Sequence, residues 1–281
     1  MPEQNVFILS ASADIGCALA GHFADDGWHV VGTYRSRAGV AALEGRPNVT
    51  VIACDVESPA SVAGAVAAYT SLQRPWDLFV SAVGRLDPIG PWTSLSFEAW
   101  EKSVITNSTA QLRVLHALYP LRRPGCEVHA AFFAGGGTNN PLTNYSAYCV
   151  SKILLIKMCE LLHDEVADLN AFIIGPGFVP TKIHRQTLAV PDVAGEGHAK
   201  TIEFFRHADR ALTSRDLYAC IGWCMEQGRA VVGGRNIAAA HDPWQDGGVA
   251  LAASLRDDRD RFRLRRAGNA IAGGRDGVEE P

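Results

Sequence analysis

Apolar residues fall along this chain in short continuous runs separated by stretches of helical length. Val6-Phe7-Ile8-Leu9 reads as a buried strand and residues 15–26 as a helix stopped by Gly27. Further strands are predicted over 29–34, 49–53, 76–81, 128–134 and 171–174, with helices over 58–72, 97–118 and 146–162 between them. Ser58 is placed to cap its helix and Pro59 to occupy the first turn. Continuous apolar strands alternating with helices indicate a parallel sheet covered on both faces. The expectation is an α/β fold, a doubly wound parallel β-sheet with helices on both faces, in which ligands sit at the carboxyl ends of the strands. Beyond Gly177 the rhythm loosens: 178–200 is polar and punctuated by Pro and Gly, which predicts a loop over a site. A helix over 214–227 and a last strand within 230–239 follow. Residues 1–240 are read as one domain with a substrate loop over 178–212, and 241–281 as a C-terminal extension.

Composition narrows the class. Of 281 residues, 47% are hydrophobic and 20% charged, which excludes a disordered or fibrous chain. Lys plus Arg number 26 and Asp plus Glu 30, so no global field attracts nucleic acid or an anionic membrane. No run approaches the ~18 apolar residues of a membrane span. The first nine residues lack the basic region and the apolar length of a secretory signal. Seven cysteines without a Cys-x-x-Cys argue against a disulfide framework and against a zinc site, and predict small buried thiols in a cytoplasmic protein without a metal. The sign-alternating run 256–266 reads as a solvated helix face, or else as an anion-contacting or subunit-contacting tail.

Candidate chemistry concentrates at Tyr148-Cys149-Val150-Ser151-Lys152, at the start of an apolar helix. A Tyr and a Lys four apart share one helix face. A phenol with a reference pKa near ~10 is a poor base near neutrality, and a neighbouring ammonium stabilises its phenolate. The bland alternative is an ordinary aromatic on an amphipathic helix.

With these residues in place, the chain resembles the short-chain dehydrogenase/reductase superfamily from about Asn5 to Thr181, and more loosely through Ala240. Leu9-Ser10-Ala11-Ser12-Ala13-Asp14-Ile15-Gly16 occupies the place of the Gly-rich cofactor turn. Asp55-Val56 stands at the adenine position, and Val80-Ser81-Ala82-Val83-Gly84 where the family has Asn-Asn-Ala-Gly. Asn107 matches the catalytic Asn, Tyr148 and Lys152 the catalytic pair, and Pro176-Gly177-Phe178-Val179-Pro180-Thr181 the segment over the nicotinamide. The resemblance implies a Rossmann-type fold in which Tyr148 protonates a carbonyl as hydride arrives from the nicotinamide. It implies that Lys152 binds the nicotinamide ribose and depresses the tyrosine pKa, and that Asn107 relays protons through an ordered water.

Three departures from the family pattern shape the reading. Ser10 and Asp14 replace two glycines of the turn and only Gly16 remains; Asp14 is expected to cap the following helix while phosphate binding survives. Gly135 occupies the slot of the catalytic serine, thirteen residues before Tyr148, so Thr138 or a glycine amide is expected to take over that role. The end of the second strand reads Tyr34-Arg35-Ser36-Arg37 without an acidic residue for a ribose 2′-hydroxyl, which favours NADP(H) over NAD(H).

At the substrate end, Gly135, Gly136, Asn144, Tyr145 and His184 are the candidate contacts. The stretch 234–244 and Leu264-Arg265-Arg266 are similar to short-chain reductases of bacterial surface-polysaccharide and sugar pathways, which implies a keto-sugar or other polyhydroxylated substrate. The apolar helix 146–162 pairs with its copy in the family, implying a homodimer or homotetramer. The sequence therefore reads as an NADP(H)-dependent oxidoreductase acting on a small carbonyl compound or secondary alcohol. The rivals are a non-catalytic dinucleotide-binding sensor or scaffold, and an epimerase or dehydratase that recycles its cofactor.

Overall fold

Strand β1 (Asn5–Leu9) is fully buried and lies inside a seven-stranded sheet of order β3-β2-β1-β4-β5-β6-β7, every neighbouring pair parallel. The computed structural model describes residues 3–181, 183–207 and 211–265. Residues 208–210 of the predicted substrate loop, and 266–281 of the predicted extension (Arg266 among them), lie outside the described residues. After β1 come α1 (Asp14–Asp25), β2 (His29–Tyr34), β3 (Val49–Ala53), α2 (Pro59–Ser71) and β4 (Leu78–Ser81). Next are α3 (Phe97–Asn107), α4 (Thr109–Leu118), β5 (Val128–Phe133), α5 (Ser146–Glu165) and β6 (Leu169–Gly175). The remainder comprises α6 (Ile183–Leu188), α7 (Pro191–Ala194), α8 (Glu196–Arg206), α9 (Ser214–Gln227), α10 (Arg229–Val232), β7 (Asn236–Ala238) and α11 (Val249–Asp257).

Alternation along each strand divides the core between two layers. Ile8, Val30 and Val80 face α1 and α9, while Phe7, Leu9 and Phe79 face α2, α4 and α5. Chain order reverses between β1 and β4, whose register pairs Leu9 with Ser81, so the crevice of a doubly wound sheet opens at their carboxyl ends. Trp244, Leu251 and Leu255 join the first layer, so the first part of the predicted extension is packed into the main core. Among the described residues no helix is long and apolar enough to cross a membrane.

Two expectations are corrected. The helix predicted over 97–118 breaks at Ser108, which has φ −136° and ψ −86°. There the Gln111 amide bonds the Ser108 carbonyl, and the Gln111 side chain donates to the Asn107 carbonyl at 2.6 Å in its place. The loop 178–200 contains three short helices, because Pro191 sits at the first turn of α7 and so starts a helix there. The last strand falls within the expected 230–239, at Asn236–Ala238, and 229–232 is helical after the Gly228 turn.

Candidate active site

The carboxyl ends of β1 to β6 bring the candidate segments to one edge of the sheet. Ser10 follows β1 with φ +65°, a backbone that glycine adopts at little cost, and its amide donates to Thr33 Oγ1 at 2.8 Å. Gly16 is retained for a different reason: a Cβ there would lie 2.3 Å from the Ser10 carbonyl oxygen, so α1 can fold against the turn only without a side chain at that position. Ala13, not Asp14, is the N-cap residue of α1, and its own side chain offers no capping oxygen. The expected capping by Asp14 is thus corrected; as the first helical residue it lies one position too late. α1 starts directly after the turn that follows β1, and Ser12, Asp14 and Ile15 are partly exposed there. Such an N-terminus fits a phosphate.

At the end of β2, Tyr34 is half-buried while Arg35 and Ser36 are exposed. Arg37 pairs with Glu44 at 2.7 Å, whereas among the described residues Arg35 has no ion-pair partner. Asp55 and Val56 follow β3, half-buried, with the Asp55 amide held by Ser61 Oγ.

Beyond β4, Ala82, Val83 and Gly84 run into Arg85, whose peptide is clamped by Asn107. Asn107 Oδ1 accepts from the Arg85 amide and Nδ2 donates to the Arg85 carbonyl, each at 2.9 Å. Asn107 is fully buried, and Nδ2 also reaches Ser103 Oγ. The side chain therefore fixes a peptide, and a proton relay through Asn107 is left the second lone pair of a carbonyl that already accepts from Gln111. Gln111 was not among the sequence candidates. Fully buried, it also donates to the Val83 carbonyl and accepts from Ser81 Oγ, tying β4 to α4. A glutamine four residues after a helical Asn carries too little signal to be singled out beforehand.

Lys152 is 2% exposed, and among the described residues its ammonium reaches the Val83 carbonyl at 3.5 Å. Burial lowers its pKa to about 8. One long bond for three donors leaves capacity for the hydroxyls of a ribose. With the α1 terminus following β1, this fits a pyridine dinucleotide lying across the β1/β4 crevice.

Tyr148 sits one turn before Lys152, whose Nζ lies 5.6 Å from the phenol ring centroid. The phenol leans over Gly135. A Cβ at Gly135 would lie 2.2 Å from the Tyr148 hydroxyl oxygen and 2.4 Å from Cε1 and Cζ, so the aromatic ring fills the space of the missing side chain. Gly135 thus lies directly against the hydroxyl, and Thr138 is half-buried in the loop that follows. Burial pushes the phenol above its usual pKa, against the depression expected from Lys152, because here desolvation outweighs the distant ammonium. Gly136 is exposed and its carbonyl accepts from Cys149 Sγ at 3.6 Å.

The lid follows β6. Pro176 and Val179 are half-buried, Gly177 is exposed with φ +64°, and Thr181 precedes α6, whose His184 amide bonds the Thr181 carbonyl. The polar side chains proposed for substrate are engaged in fastening this lid. Asn144 Nδ2 donates to the Val193 carbonyl at 2.7 Å, the Tyr145 hydroxyl to Thr187 Oγ1 at 3.1 Å, and His184 Nε2 lies 3.0 Å from the Val179 carbonyl. Gln186, absent from the sequence candidates, accepts from the Leu86 amide and donates to Asp87 Oδ1. Asp87 in turn pairs with Arg85, which also reaches Glu57. The stretch 234–244 serves the fold: Arg235 is buried against the carbonyls of Leu255, Asp258 and Arg261, and Trp244 Nε1 donates to the Ala239 carbonyl.

Comparison with known proteins agrees with this layout. A family model described as enoyl-(acyl carrier protein) reductase matches residues 10–238. Dehydrogenase/reductase SDR family member 4 of Sus scrofa is 28% identical over 187 residues, covering 64% of this chain and 67% of that protein. The crystal structure of the KRED1-Pglu enzyme superimposes with a TM-score of 0.76 at 21% identity, over 83% of this chain and all (100%) of that one. A variant of actinorhodin polyketide ketoreductase, solved with NADPH, gives a TM-score of 0.69 at 22% identity, over 84% of this chain and 95% of that one. A family match running from the turn after β1 to the end of β7, on a sheet of this order, makes the chain a member of the short-chain dehydrogenase/reductase superfamily.

Proposed function

We propose that this oxidoreductase is an NADP(H)-dependent carbonyl reductase, or in reverse a secondary-alcohol dehydrogenase. The observation that carries the proposal is the buried Lys152 ammonium one turn from the Tyr148 phenol at the switch-point crevice. A bound nicotinamide dinucleotide supplies or accepts the hydride. Tyr148 donates its proton to the carbonyl oxygen and recovers one from water. Lys152, protonated below about pH 8, holds ribose hydroxyls and stabilises the phenolate left behind. Asn107 acts by fixing the Arg85 peptide, and hence the end of β4 against which Lys152 is held. The α1 N-terminus with Ser10, Ser12, Asp14, Ile15 and Gly16 receives the pyrophosphate. Asp55, Val56, Ala82, Val83 and Gly84 line the adenosine side, and Pro176, Gly177, Val179 and Thr181 cover the nicotinamide. Arg35, exposed and without an ion-pair partner among the described residues, supports a 2′-phosphate and so NADP(H).

Exposed apolar residues on two packed helices, Phe97 and Ile105 of α3 with Val150 and Leu161 of α5, support a homodimer or homotetramer. The buried thiols Cys54, Cys159, Cys220 and Cys224 support a cytoplasmic location. The deciding experiment screens carbonyl compounds with NADPH and NADH beside Tyr148→Phe. Consumption of NADPH that the variant abolishes, with cofactor affinity retained, is the expected result. NADPH bound by the wild type without turnover of any carbonyl compound would favour the sensor reading, for which Gly135 in the serine slot is the specific motive.

A further inference from the structure

Tyr148 packs against a small apolar cluster separate from the two main layers of the core. Its walls come from three segments: Leu86 and Ile89 after β4, Leu142 before α5, and Ile183 and Val190 from the lid. Ile183 reaches across to Gly84, within 3.5 Å of where a Cβ would stand there. Polar groups near these walls are already committed. Asn144, Tyr145, His184 and Gln186 each bond another part of the protein, and Asp87 is shared between Arg85 and Gln186. Using Asn144, Tyr145 or Gln186 for substrate means unfastening the lid, and using His184 means breaking its bond to Val179 within it. Thr138 and the Gly135–Gly137 backbone remain, enough for a carbonyl substituent but not for a ring of hydroxyls.

Resting on the reductase reading, we propose that the carbonyl compound handled by Tyr148 is apolar on both sides of its reacting carbon, an alicyclic or aryl ketone, and is not polyhydroxylated. Each hydroxyl buried between Leu142, Ile183 and Val190 without a partner lowers affinity by about tenfold or more, whereas each buried methylene raises it by about fourfold. A keto-sugar with several hydroxyls therefore loses what an alicyclic ring of the same size gains.

Two readouts test this. Calorimetric titration of the protein with oxidised NADP present measures binding of cyclohexanone, acetophenone and fructose without turnover, and NADPH consumption measures reduction of the same compounds. Cyclohexanone or acetophenone is expected to bind, with a negative heat-capacity change, and to exceed fructose in kcat/KM by about 100-fold or more. Ile183→Asn is expected to weaken their binding about tenfold with cofactor affinity unchanged; Ile183 is only half-buried, and Ile89→Thr serves if that variant does not fold. Fructose bound or reduced as well as the apolar ketones overturns the inference and leaves the reductase reading intact. Apolar ketones bound but never reduced uphold the inference on ligand class and overturn the reductase reading. Failure of the apolar ketones to bind or react overturns the inference.

Discussion

Replacing Gly135 by serine restores the residue the family carries there, and on sequence grounds should raise the rate. The geometry demands the opposite. A Cβ at that position falls 2.2 Å from the Tyr148 hydroxyl and 2.4 Å from two ring carbons, separations that no packed side chain tolerates. Relief cannot come from α5, because Ser146 at its start accepts from Trp100 Nε1 at 2.9 Å and Ala147 and Ser151 are fully buried. The phenol must rotate instead. Overpacking of this kind costs about 1–3 kcal/mol, a fall in Tm of about 2–10 °C for a chain of this size. Misplacing the proton donor by about 1 Å costs about 10² in kcat/KM, and the roughly 10²–10³ that an oxyanion donor can supply is realised only when the phenol stands in register over the same oxygen, which a displaced Tyr148 does not. Gly135→Ser and Gly135→Ala should therefore lose activity and melt early to a similar extent, since both carry the offending Cβ. Steady-state kinetics with a reducible ketone and thermal melts of both variants decide it. Serine active and alanine inactive would refute the reasoning, because the hydroxyl would then be accommodated and working.

Gln186→Leu removes both bonds between the lid and the Leu86–Asp87 segment, worth about 1 kcal/mol each, so KM should rise about tenfold or more and Tm fall by about 4–8 °C. An unchanged KM would show that the latch does not govern binding. Gly16→Ala forces a contact of 2.3 Å with the Ser10 carbonyl and should cost about 2 kcal/mol of stability together with most of the dinucleotide affinity, read by melts and fluorescence titration. Burial lowers the Lys152 pKa to about 8, so the ammonium is present below that pH and lost above it. Cofactor Kd should then be flat below pH 8 and rise by up to about tenfold per unit above it, and a flat profile to pH 9.5 on the alkaline side (about 1.5 units past the transition) would exclude an ammonium role. Arg35→Ser should weaken NADPH binding by about tenfold and leave NADH binding unaltered; equal losses for both would remove the case for a 2′-phosphate contact.

Much of the sheet was legible because its strands are continuous apolar runs ended by turn residues. β2, β3 and the capped start of α2 fall where Asn48, Ser58 and Pro59 place them. What escaped depends on partners distant in sequence. The break at Ser108 follows from the demands of buried Asn107 and Gln111, and neither residue signals that it will be buried. Asn144, Tyr145 and His184 looked like substrate contacts because they are polar and lie near the motif. Their lid partners, Val193, Thr187 and Val179, became visible only once 178–206 was folded. The pKa of Tyr148 escaped for a related reason: spacing reports that an ammonium is one turn away, but not that both groups are desolvated.

That last point bears on the direction of the chemistry. A phenol held above its usual pKa stays protonated at every physiological pH, which is the form that donates to a carbonyl oxygen. Oxidising an alcohol requires the phenolate, and in this site the phenolate would be desolvated over Gly135 with the Lys152 ammonium as its compensation, 5.6 Å from the ring centroid. In the proposed reductase the protonated phenol is therefore the resting form, the Lys152 ammonium steadies the charge left on it after donation, and the reverse oxidation uses the same two groups once the phenolate has formed.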